Sequence, residues 1–309
     1  MKKRLALLVT CGIAASLLGT TAMAEDGTHK FGFTEWVSCE FFDSVYDGLM
    51  SVIDEHDGDT VIHSEGQADI SVQQNAVEDF IAQGVDVVFY NPVDSDASTV
   101  AVEAMKDAGI IVVNFDTQVA DIDQVEAFVA TDNFKAGKIA GEQLVADFPD
   151  GAKVAVLNYP ANTAAVDREN GFLEAVDGTS IEIVSTLDSE GNTETAVSQM
   201  DDILQANPDL DAVFAINDDG GIGAYAAINA AGMDTWIYSV NGSPDAKKLV
   251  AEKGIYRCTA AQSTINMGKQ SAEVAYKLLD GEEVDHEVLI DPIAITADNI
   301  DEYGVDGWQ

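Results

Sequence analysis

The chain reads as an α/β protein: two Rossmann-like lobes, each with a parallel sheet. Near-continuous apolar runs such as Val85–Tyr90 and Ile110–Phe115 have the look of strands buried on both faces. They alternate with amphipathic helical periods, the pattern of βαβ units with right-handed crossovers. The alternation then starts afresh near Lys153, and 309 residues suit two lobes of about 130–150 residues each.

In chain order, Phe31–Phe33 is the first strand, and Phe42, Val45, Tyr46 and Leu49 share one side of the helix after it. Thr60–Ser64 is a strand, Ile70–Ile81 a helix, Val85–Tyr90 a strand closing on Asn91-Pro92, Thr99–Ala108 a helix, and Ile110–Phe115 a strand closing on Asp116-Thr117. The pattern hesitates from Gln118 to Glu126. Ala127–Ala130 is a short strand, and Thr131-Asp132-Asn133 caps a helix running to about Asp147. The second series places strands at Lys153–Leu157, Ile181–Thr186, Ala212–Ala215 and Trp236–Val240. Its helices are Ala164–Ala175, Thr195–Ala206, Ile222–Ala231 and Pro244–Lys253. Tyr256–Ala261 is a strand, Ile265–Leu279 a helix, and Val288–Ile293 one extended segment interrupted by Pro292.

Residues 1–24 read as a cleavable secretory signal. Lys2, Lys3 and Arg4 precede an apolar run, Leu5–Leu18, and Ala22-Met23-Ala24 supplies small residues for cleavage. The run is shorter than the roughly 20 residues of a spanning helix, and no later run is long enough, so direct membrane insertion is not expected. Lipid attachment at Cys11 is disfavoured because that residue lies inside the apolar run.

Cleavage would leave 12 basic residues against 55 acidic, a net charge of −43. Such a chain repels phosphate backbones and anionic lipid, which excludes nucleic acid as a partner. Its carboxylates are spread along helix faces, and a saline medium would screen their repulsion. Two cysteines remain, Cys39 and Cys258, and an exported chain has the option of joining them.

Chemistry-bearing residues collect just after strands, where ligands bind in open α/β sheets: Glu35, Trp36, Asn91, Asp116, Tyr159, Asn217-Asp218-Asp219, Asn241 and Gln262. Phe41 and Phe42 cannot both face the core of one helical turn, so one of them is expected in the cleft. Arg168, one of three arginines in the chain, supplies a fork of donors. Carboxylates, amides and aromatic faces together suit a neutral polyhydroxylated ligand. Asp and Asn after strands also act as turn formers and helix caps, and that reading stands beside the functional one at Asp116 and Asp219.

Catalysis and cofactors find little support. The four histidines, His29, His56, His63 and His286, are scattered without metal-ligand spacing. No nucleophile elbow, phosphate-binding loop or Cys-x-x-Cys occurs. Gly220-Gly221-Ile222-Gly223 lacks the full dinucleotide fingerprint and reads better as a closely packed helix start. No catalytic residue, metal or cofactor is therefore assigned.

A set of ordered motifs resembles the periplasmic sugar-binding proteins of the ribose-binding type. They are Phe41-Phe42 ahead of Asp47-Gly48, Asn91-Pro92-x-Asp94-Ser95-Asp96-Ala97, Val113-Asn114-Phe115-Asp116 and Thr131-Asp132-Asn133-x-x-x-Gly137. Arg168-Glu169-Asn170-Gly171-Phe172, Phe214-Ala215-Ile216-Asn217-Asp218, Asn241-Gly242-Ser243-Pro244-Asp245 and Gln262 continue the series over nearly the whole mature chain. The resemblance implies a monomer in the periplasm whose lobes are joined by a three-segment hinge. On it, lobe one is 25–130 plus 262–290 and lobe two 131–261 plus 291–309, with crossings near Ala130, Gln262 and Asp291.

The family's lobes close on one sugar or polyol, and the loaded form delivers it to an ABC permease with its ATPase. A receptor of the same fold serving a membrane sensor kinase or chemoreceptor is the alternative. By position, Phe41 and Phe42 match the stacking pair, and Asp116, Arg168, Asn217, Asn241 and Gln262 match polar contacts. Four departures argue against ribose itself. Cys39 stands where ribose binders have Asn, Asn241 where they have Asp, and Thr117 where they have Arg. Their aromatic near Gly191 is absent, and Trp36 is the expected substitute.

Overall fold

The computed structural model describes residues 28–309, so the expected secretory signal lies outside the described residues. From the start of that range the chain runs β1 (Lys30–Thr34), α1 (Glu40–Ile53), β2 (Thr60–His63), α2 (Ile70–Gln83), β3 (Val87–Tyr90), α3 (Ser98–Asp107), β4 (Ile111–Phe115) and β5 (Ala127–Thr131). The hesitation after β4 contains a single 3-10 turn at Ile122–Gln124. The second series is α4 (Asn133–Asp147), β6 (Ala152–Asn158), α5 (Thr163–Val176), β7 (Ile181–Asp188), α6 (Thr193–Ala206), β8 (Ala212–Ala215), α7 (Asp218–Ala231), β9 (Trp236–Asn241), α8 (Pro244–Ala251) and β10 (Tyr256–Ala261). The chain finishes with α9 (Thr264–Leu279), β11 (Glu287–Ile290), β12 (Ile293–Thr296) and α10 (Ile300–Tyr303).

These strands form two six-stranded sheets, ordered β2-β1-β3-β4-β5-β11 and β7-β6-β8-β9-β10-β12. All pairs are parallel except β12 against β10. The sequence reading treats 288–293 as one extended segment containing Pro292 and, with the family resemblance, places a crossing near Asp291. In the structure Pro292 breaks it, and the halves join different sheets, because proline has no N–H to continue a ladder. The chain thus passes between sheets three times, after β5, after β10 and between β11 and β12.

Period-2 alternation puts each strand's residues against helices on both faces. In the first sheet Phe31, Phe33, Phe89 and Phe115 pack under α1 and α9, while Val88, Tyr90 and Val112 meet α2 and α3. In the second, Val156, Phe214 and Val240 pack under α4 and α5, and Leu157, Val213 and Ile237 under α6, α7 and α8. Each lobe contains at least one very close helix pair. In the second lobe a Cβ on Gly137 of α4 would overlap the carbonyl oxygen of Arg168 in α5, so only glycine allows this approach. In α7 a Cβ on Gly221 would run into Tyr256 Oη, which bears out the packing reading of that glycine-rich stretch.

Cys39 is exposed at the start of α1, Cys258 is buried in β10, and both are free thiols. The optional disulfide is not formed, since the residues belong to different lobes. Among the described residues no helix is long and apolar enough to cross a membrane.

Candidate functional site

The carboxyl ends of both sheets face a cavity of ≈ 580 Å³ between the lobes. On the second-lobe side it is ringed by helix N-termini. Asn162 Oδ1 accepts from Ala165 N at 2.9 Å, Asn192 Oδ1 from Thr195 N at 2.8 Å, Asn217 Oδ1 from Gly220 N at 2.9 Å and Ser243 Oγ from Ala246 N at 3.2 Å. Short polar residues after strands are therefore helix caps and cavity wall at once. Asn217 shows both uses, because its Nδ2 also donates to Gly191 O at 2.7 Å.

Arg168 is the cation at the centre. Its Nε donates to Asn133 Oδ1 at 2.8 Å, and its Nη1 to Ile216 O and Asn241 Oδ1, both at 3.1 Å. Nη2 makes no hydrogen bond to the described residues, and the side chain lines the cavity. Burial, the largest influence, brings its pKa down to about 10, against the pull of Asp116 and Asp218.

Asp116 approaches from the other lobe on a left-handed backbone, φ 57°, a conformation Asp and Asn adopt more readily than most residues. Asn91 Nδ2 at 3.3 Å and Thr117 Oγ1 at 3.2 Å donate to its Oδ2. Burial pushes its pKa up, and Arg168 and these two donors pull it back. Asp218 is deeper, 2% exposed, and accepts from Ser239 Oγ at 2.5 Å, Thr259 Oγ1 at 2.7 Å and Ser243 N at 2.7 Å. Burial raises its pKa too.

Among the described residues, six carboxylates line the cavity (Glu40, Asp116, Glu190, Asp218, Asp219 and Asp245) against one guanidinium. The positive ends of four capped helices partly offset them.

Of the thirteen residues singled out in the sequence, eleven line this cavity: Trp36, Phe41, Phe42, Asp116, Tyr159, Arg168, Asn217, Asp218, Asp219, Asn241 and Gln262. Glu35 and Asn91 do not. Glu35 is 2% exposed and turns away to His63, whose Nε2 lies 2.9 Å from both carboxylate oxygens. Asn91 is fully buried and works as a brace, accepting from Trp36 N at 3.2 Å and donating to Phe115 O and Asp116. A strand-end position does not reveal whether a side chain points forward or back.

The phenylalanines divide as the helical period requires. Phe42 joins the core and its edge meets Phe115, while Phe41 is half-buried with its edge against Trp308 at 5.4 Å. Near Gly191, Tyr159 supplies an aromatic ring, and Trp36 stands on the opposite lobe edge-on to Phe42 at 6.4 Å. The sequence reading missed Trp308, Asn162 and Asn192 as wall residues. The two asparagines were detectable as caps, but Trp308 sits in a terminal tail without periodicity.

Residues 34–283 match the model of the periplasmic binding protein domain family. The ribose import binding protein of Bacillus subtilis is 36% identical over 228 residues, 74% of each chain. That of Escherichia coli is 32% identical over 291 residues, 94% of this chain and 97% of its own. Among solved structures, an ABC transporter solute binding protein from Mycobacterium smegmatis with bound glycerol superposes with a TM-score of 0.82 at 29% identity. It covers 91% of this chain and 99% of its own. Fold, cavity and sequence agree, and the chain belongs to the periplasmic binding protein domain family.

Proposed function

We propose that the chain is an exported solute-binding protein that holds one neutral sugar or polyol between its lobes and delivers it to an ABC importer. It works as a monomer in the periplasm after loss of residues 1–24. The observation that carries this reading is the cavity wall itself, with six carboxylates against one guanidinium and aromatic rings from both lobes. An anionic solute would be repelled by that wall. A polyol offers hydroxyls to the carboxylates and amides, and C–H faces to Trp36, Phe41 and Tyr159.

The lobes are 25–130 plus 262–290 and 131–261 plus 291–309. Asp116 belongs to one and Arg168 to the other, so only a closed arrangement gives a ligand both groups, and ligand affinity biases closure. The protein acts as a carrier with no chemical step. Titration calorimetry against D-ribose, D-allose, glycerol and myo-inositol, with gluconate as an anionic control, tests the reading. Heat from a neutral member and none from gluconate is expected. No heat from any neutral member, or preferential binding of gluconate, overturns it.

A further inference from the structure

The last residues of the chain return to the cavity instead of leaving the molecule. After α10 the backbone turns at Gly304 and Gly307, both with positive φ. The buried Lys247 of α8 then grips the tail, its Nζ donating to Gly307 O at 2.8 Å and Gln309 Oε1 at 3.0 Å. From the other lobe, the backbone N–H of Ile265 in α9 donates to Gln309 O at 3.2 Å. The tail is therefore held by both lobes at once. Between these anchors Trp308 is partly buried. It lines the cavity and sets its ring at 89° to Phe41 with 5.4 Å between centroids. Its indole Nε1 is buried without a hydrogen-bond partner among the described residues, so an indole here leaves a donor unsatisfied, an arrangement that costs stability.

We propose that Trp308 is a specificity-determining residue of the ligand cavity, an aromatic wall carried by a C-terminal strap that both lobes hold. The inference rests on the reading of the cavity as a polyol site. An indole beside the Phe41 ring narrows the cavity and presents a flat apolar face, which favours a ligand with one face of C–H groups. Because the strap is fastened to α8 and α9, the position of this wall depends on how the lobes sit. A ligand that meets Trp308 therefore meets a wall whose place is set by closure.

Calorimetry on the unmutated protein, Trp308→Ala and Trp308→Phe, with D-ribose, D-allose, glycerol and myo-inositol as probes, tests this. Trp308→Phe removes the unsatisfied donor and keeps an aromatic face, so it is expected to melt no lower than the unmutated protein. Trp308→Ala is expected to weaken the best-binding probe at least tenfold. Trp308→Phe is expected to weaken it less and to alter the ranking of the probes. Unchanged affinity and ranking in both variants, with the unmutated protein binding normally, overturns the role of Trp308 alone. Absence of heat from the unmutated protein overturns the polyol reading and this inference with it.

Discussion

Asn241 Oδ1 accepts from both Arg168 Nη1, at 3.1 Å, and Gln262 Nε2, at 2.9 Å. One neutral carboxamide thus joins the end of β9 to the guanidinium and to the loop after β10. Asn241 carries no charge, so Arg168 has an uncharged partner here. The carboxylates that most favour its charge are Asp116 of the other lobe and the buried Asp218.

That arrangement makes Asp116 the residue to neutralise. Asp116→Asn keeps a side chain that tolerates the left-handed backbone and removes the charge. Affinity for the best neutral ligand is expected to fall by about 1–3 kcal/mol, the range for losing a charged hydrogen bond. The folded-state pKa of Asp116 is raised. Its stabilising effect is thus present below the unfolded value near 3.9 and lost as pH rises through the folded value. Ligand-free Asp116→Asn is therefore expected to melt higher than the unmutated protein at pH 7, with the gap closing in acid. Calorimetry and thermal melts check the two halves.

His63 behaves in the same sense through a different cause. Its hydrogen bond to the buried Glu35 raises its pKa, with burial opposing. The pair's contribution is full below the unfolded value near 6.5 and lost as pH rises through the higher folded value. His63→Gln is expected to cost about 1–3 kcal/mol at pH 6. It should flatten the fall in stability on the alkaline side, as read from urea melts at pH 6 and pH 9.

Cys39 caps α1 without a side-chain hydrogen bond and lines the cavity, whereas Cys258 is fully buried. Desolvation at the cavity wall raises the Cys39 pKa, and burial takes that of Cys258 to about 12. Of the two described cysteines, alkylation is expected at Cys39 alone, slow at pH 7 and faster as pH rises. A bound sugar or polyol should protect it. Peptide mass spectrometry after iodoacetamide treatment reads both outcomes.

Gly137 supports Arg168 from behind, where α4 touches α5 backbone to backbone. Gly137→Ala forces these helices apart, an overpacking expected to cost about 1–3 kcal/mol. It should also weaken ligand binding by moving Arg168, which lines the cavity, whereas Gly137 itself does not. Urea melts and calorimetry on the same variant separate the two losses.

Much of the fold was legible because its signals are local. Apolar runs bounded by Asn-Pro or Asp-Thr mark the strands, helical periods mark the helices, and Asp132 marks a helix start, its side chain accepting from Lys135 N. Eight of the residues taken from strand ends do face one cavity, since the carboxyl ends of parallel strands converge on the same rim. Glu35 and Asn91 share that sequence signature, yet the pleat and the turn direct one to His63 and the other beneath Asp116.

By itself the sequence determined two alternating α/β series, an acidic surface, one arginine among strand-end carboxylates and the motifs of a sugar-binding family. Each follows from composition or from spacing along a few turns of chain. Tertiary structure alone decided that Glu35 turns to His63, that Cys39 and Cys258 stay apart, and that Trp308 comes back to face Phe41. Those outcomes depend on contacts between residues far apart in the chain, set by how the lobes pack, and no local period encodes them.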